Sequence, residues 1–90
     1  MKTLKAWAAR DKGLEHVFGE FCRELRQLDG RRDHPVHSMY WQNAIGAERV
    51  LTGYLSAMMW ADKITFATLA KIQKEKADAL YRGKVPEVTL

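Results

Sequence analysis

The sequence predicts a small all-α domain of three helices, two of them long, in which the second and third form a hairpin. Three observations predict it. Apolar residues recur at alternating three- and four-residue steps through three stretches. Turn-forming residues separate those stretches at Asp29-Gly30, His34-Pro35 and Ala61–Ile64. With 90 residues, 47% of them hydrophobic, the chain has room for one globular domain, 1–90, and no more.

The first helix is expected over about 3–29. Leu4, Trp7, Leu14, Phe18, Phe21, Leu25 and Leu28 line one face, with Val17 and Cys22 widening the band. Asp11 interrupts the series, and Gly13 marks a place for a kink or break. Gly30 supplies the left-handed residue that stops the helix. The loop through Pro35 leads to a second helix over about 36–61, capped by Asp33 or Ser38. Its arc of Tyr40, Ala44, Ala47, Leu51, Tyr54, Leu55 and Met58, flanked by Trp41, Ile45 and Met59, is broad enough for a central helix. A third helix over about 66–82 starts at an N-cap Thr65, with Ile64 and Leu69 as a staple. Phe66, Leu69, Ala70, Ala77, Leu80 and Tyr81 are its expected apolar face. Gly83 ends it, and 84–90 reads as a tail.

A chain this short buries only about 60–65% of its unfolded surface, so a surplus of three Trp and four Met is generous for its core. The single Cys22 forms no intrachain disulfide, which points to a reducing, cytoplasmic setting. Arg10, Asp11 and Lys12 leave no apolar signal-peptide core, and no apolar run approaches membrane-spanning length. Net charge is +4, with basic and acidic residues interspersed along the chain.

The templates of catalysis are missing from the sequence. It has no Gly-rich phosphate loop, no paired Cys-x-x-Cys and no Gly-x-Ser-x-Gly turn, so no enzyme activity is expected. His34 and His37 flank Pro35, with Asp33 beside them and His16 distant, which falls short of a tetrahedral metal set. No metal and no cofactor are assigned. Cys22 lies on the apolar band, where burial keeps a thiol protonated. Asp11 and Glu48 are carboxylates on apolar faces and need a partner there. Glu48 is the better candidate for a polar contact that sets binding specificity.

The apolar surplus carries the functional expectation. Trp60 projects away from the centre of the second helix, Trp41 and Met59 lie at the edge of its arc, and Ile72 lies off the third. Trp and Met at such margins are typical interface anchors. Trp41, Met59, Trp60 and Glu48 are therefore the expected protein-binding residues of an inhibitor, adaptor or regulator that docks on another protein or on itself as a homodimer. The alternative is nucleic-acid binding through Arg31, Arg32, Lys71, Lys74 and Arg82. A helix-turn-helix fits poorly: the hairpin turn lacks Gly and the basic residues fall late on the third helix. Lys5, Lys12, His16 and Arg23 form a further basic line, diluted by Glu15, Glu20 and Glu24.

The run Gly53-Tyr54-Leu55-Ser56-Ala57-Met58-Met59-Trp60-Ala61-Asp62-Lys63-Ile64-Thr65 resembles the helical hairpins of small phage or plasmid accessory proteins. The likeness is one of size and style and carries no diagnostic motif. It implies a phage or mobile-element accessory protein and transfers no functional residue.

Overall fold

The helical periodicity condenses into four helices, described for residues 1–81 by a computed structural model: α1 Lys2–Ala8, α2 Lys12–Leu28, α3 Met39–Trp60 and α4 Phe66–Tyr81. Among the described residues there is no strand. The all-helical class stands, and the three-helix arrangement is corrected to four. The end of the last helix beyond Tyr81, the Gly83 stop and the 84–90 tail lie outside the described residues.

Asp11 makes the additional helix. Its backbone is extended and its carboxylate accepts the Leu14 amide at 2.9 Å, an N-cap that begins α2 instead of letting α1 run on. The Arg10 amide bonds back to the Trp7 carbonyl and closes α1. Gly13 serves a different purpose from the expected kink. A Cβ there would stand 2.8 Å from two ring carbons of Tyr54, so glycine allows α2 and α3 to meet. α1 then turns back to α4, where the Glu75 carboxylate accepts the Thr3 and Leu4 amides, each at 3.0 Å.

At the other end of α2, Gly30 takes φ +85° and the Arg31 amide returns to the Leu28 carbonyl, as the Asp-Gly signal predicts. α3 starts at Met39, later than expected, because residues around Pro35 form a turn closed by the Ser38 amide on the Pro35 carbonyl. Ser38 occupies the N-cap position without making the side-chain bond. The Gln42 side chain instead ties the helix start to the Val36 carbonyl at 3.0 Å.

α3 packs against α2 on one flank and α4 on another. Leu51 and Leu55 face Leu4, Leu14, Phe21, Leu28 and Ile72 within a single core. The α3–α4 turn is a Schellman closure: the Lys63 amide reaches the Met58 carbonyl and the Asp62 amide reaches that of Met59. Asp62 sits between them at φ 58°, a left-handed position usually given to Gly. Thr65 then caps α4 through the Thr68 amide at 3.1 Å, and Ile64 and Leu69 are both buried, as the staple predicts.

The buried face of α4 differs from the expected one. Leu69, Ile72, Lys76 and Leu80 are buried, while Phe66, Ala70 and Ala77 are exposed. The helix buries the face of Leu69, Ile72 and Leu80, and Lys76 on that face is matched by the Glu48 carboxylate of α3.

Candidate protein-binding surface

The polar candidate Glu48 is already engaged. Its Oε1 accepts Lys76 Nζ at 3.0 Å and the Thr52 hydroxyl at 2.8 Å, and Lys76 also donates to that hydroxyl. Lys76 is only 1% exposed, and burial pulls its pKa down against the opposing pull of Glu48. This cluster locks α3 to α4, so Lys76 is lost to the basic surface expected for the third helix.

Trp41 is likewise corrected from a marginal anchor to a core residue. It is 4% exposed, stacks near Tyr81 with ring centres 6.3 Å apart, and donates its indole N–H to the Arg32 carbonyl at 3.3 Å. Arg32 is committed as well. Its guanidinium bonds Asp29 at 3.0 Å, the Ala79 carbonyl at 3.2 Å and the Leu80 carbonyl, binding the loop to the end of α4. Arg31 lies over the Tyr40 ring at 4.6 Å and donates to the Gln27 carbonyl. Lys71 and Lys74 are exposed, and Arg82 lies outside the described residues. Of the four described candidates, Arg31 and Arg32 make contacts within the chain, and Lys71 and Lys74 are exposed on α4.

His34 packs edge-on to Tyr40 with ring centres 5.5 Å apart. Among the described residues no three His, Cys, Asp or Glu side chains gather in a metal-binding group. Cys22 is half-buried, and desolvation pushes its thiol pKa up, away from reactivity.

The remaining two candidates, Met59 and Trp60, are neighbours at the end of α3, where Phe66 of α4, expected in the core, is exposed as well. Trp60, the last residue of α3, is 81% exposed, and Phe66, the first of α4, is 73% exposed. The Schellman turn also borders a hollow of about 320 Å³ lined by Trp7, Met59, Asp62, Lys63, Ile64, Thr65, Phe66 and Thr68; Trp60 does not line it. Met59 is half-buried beneath it, and Arg10 lies over the Trp7 ring at 5.4 Å. No family model, curated protein or solved structure matches the chain. The corner therefore stands on its own geometry: a short, closed turn separates two exposed aromatic rings, and one of them, Phe66, lines a hollow of mixed polarity.

Phe66 is the surface residue that the sequence assigned to the core. Its position immediately after the Thr65 cap is the signal that would have exposed it, since the first turn of a capped helix faces the incoming chain on one side only. Lys76 carried a signal too. It continues the Leu69–Ile72–Leu80 spacing and fits that face by position though not by chemistry. Among the described residues no helix is long and apolar enough to cross a membrane.

Proposed function

We propose that the chain is a protein-binding module, acting as an inhibitor, adaptor or regulator, that docks through the α3–α4 corner. The observation that carries this reading is the exposure of Trp60 and Phe66 on either side of a backbone turn fixed by its own hydrogen bonds. A large aromatic ring held in water loses apolar burial worth about 1.5–3 kcal/mol, which a partner's pocket recovers. Preformed anchors also lose little conformational entropy on docking. Asp62, Lys63, Thr65 and Thr68, which line the hollow, supply the surrounding hydrogen-bonding groups of such an interface.

No catalytic role is proposed, because the polar clusters at Glu48, Asp11 and Glu75 are spent on helix packing and capping. Nucleic-acid binding is the weaker reading, since Arg32 and Lys76 are turned into the fold. Affinity capture at low and high salt, with and without nuclease, separates the two. The docking reading expects a discrete protein retained through both treatments. Nucleic acid recovered at low salt and lost as salt rises would instead move the binding to the exposed lysines.

A further inference from the structure

The outward face of α3 is a seam that the rest of the fold leaves open. Met39, Gly46, Gly53 and Trp60 recur every seventh residue, with Asn43, Val50 and Ala57 recurring every seventh between them, and every one of these positions is exposed. Val50 is 61% and Met39 64% exposed. Among the described residues nothing covers this line. A sustained three–four spacing of this kind is the pattern by which one helix packs along another. The core uses the opposite face of α3, through Ala44, Leu51, Leu55 and Met58.

Charge makes the seam unusual for a solvent-facing helix. α3 contains two charged residues in 22, Glu48 and Arg49, and Glu48 is bound to Lys76. Arg49 is thus the single charged residue on the exposed face. Gly46 and Gly53 have nothing within 4 Å of where a Cβ would stand, so no neighbour inside the chain requires them. Glycine at these positions weakens the isolated helix and gains its use when a second backbone approaches from outside.

We infer that the seam takes a second copy of this chain, with the two α3 helices packed in parallel about a two-fold axis. The direction follows from charge. One residue step turns a helix by about 100°, so Arg49 lies to one side of Val50 and Tyr54, which is bonded to Asp11 of α2, to the other. On that α2 side, His16, Glu20, Arg23 and Glu24 rim a groove floored by Gly46, Ala47 and Val50, with Arg23 ion-paired to Glu20 and Glu24 the carboxylate beside that pair. An axis parallel to α3 exchanges the two sides and brings Arg49 of each copy to Glu20 and Glu24 of the other. An axis perpendicular to α3 would set Arg49 against Arg49.

The size of the contact is adequate. A 22-residue helix is about 33 Å long, and a band one helix diameter wide offers about 400 Å² per copy. With the α2 edges that meet on both sides, the total approaches about 1,000 Å², the lower limit for a specific contact, so the dimer is a weak one that forms as concentration rises. Trp60 belongs to both surfaces, whereas Phe66 lies off α3 and the glycines lie off the corner, so Phe66→Ala probes the docking reading alone and the glycine variants the dimer alone.

Sedimentation equilibrium of the full chain tests the inference. The expected result is twice the 10.4 kDa chain mass, and monomer at every loading concentration overturns it. Gly46→Leu with Gly53→Leu should raise the dimer Kd by about 30-fold or more, while helix content is kept because both side chains enter open space. A dimer unaffected by that pair overturns the seam. Arg49→Glu should weaken the dimer and Glu20→Lys with Glu24→Lys in the same chain should restore it. In a Cys22→Ser background, Ala57→Cys should cross-link to itself across the two copies. A chain with Ala57→Cys that does not cross-link to itself, while Asn43→Cys with Ala57→Cys in one chain does cross-link, would overturn the parallel arrangement.

Discussion

The Tyr54 hydroxyl donates to Asp11 Oδ1 at 2.6 Å, directly above a glycine whose Cβ the ring leaves no space for. One oxygen of Asp11 thereby receives both the Leu14 amide and Tyr54, so the cap that starts α2 also docks it on α3. Gly13→Ala should destabilise the fold by about 1–3 kcal/mol through overpacking, despite alanine's higher helix propensity. Gly19→Ala, on the same helix with open space around it, should stabilise by about 0.5–1 kcal/mol. Urea midpoints of the two variants should move in opposite directions.

The same bond makes stability depend on pH. The Tyr54 hydroxyl and then the Leu14 amide hold Asp11 below its ordinary pKa of 3.8. Burial raises Glu75, but hydrogen bonds from Thr3 and Leu4 outweigh it and bring that carboxyl below 4.5. A carboxyl with a lower pKa in the folded state contributes fully above its unfolded pKa and loses that contribution as pH falls through the folded value. Melting temperature should therefore decline from about pH 5 downward. Tyr54→Phe should make that decline shallower and return the Asp11 pKa toward 3.8, read by NMR titration of its carboxyl.

Lys76 is buried and Glu48 partly exposed, and replacing either one leaves the other without its charge partner. Lys76→Ala removes the charge and leaves a hole, and should cost about 3 kcal/mol or more. Glu48→Ala strands the ammonium inside and should cost a similar amount. Lys76→Met combined with Glu48→Leu removes both charges while keeping volume, and should be close to neutral. Denaturant titration of the three variants gives the comparison directly.

Asp62 holds the left-handed position of the α3–α4 turn. Asp62→Gly should relieve about 1 kcal/mol of steric cost and raise the melting temperature by about 4–8 °C. The Lys63 and Asp62 amide bonds that shape the corner are made by the backbone, so binding at Trp60 and Phe66 should persist in this variant.

Helix class, the Gly30 stop, the Thr65 cap and the central place of α3 were legible because each depends on local spacing or on a residue's own conformational preference. The division into α1 and α2 was legible as a break near Gly13, but its cause, the Asp11 cap, was not. Asp11 reads as a blemish on an apolar stripe until Tyr54, 43 residues away, supplies its second partner. Trp41 and Phe66 exchanged roles for a related reason. Trp41 is covered by Tyr81 and by the loop that carries Arg32, whereas Phe66 remains exposed, and these contacts depend on how the elements pack rather than on local spacing. Among the anchors expected from sequence, Trp60 is on the surface, Met59 half-buried beside it, and Trp41 and Glu48 are inside the packing.

The most direct test of the docking surface is quantitative capture of a partner by the wild-type chain and by Trp60→Ala and Phe66→Ala, in nuclease-treated extract at high salt. Both substitutions touch exposed rings and should change stability by no more than about 0.5 kcal/mol, whereas Trp41→Ala should cost about 3–5 kcal/mol as a core truncation. The account predicts a discrete protein retained by the wild type and lost from both corner variants at unchanged helix content and melting temperature. Equal capture by all three chains would contradict it, and would place the binding surface elsewhere on the molecule.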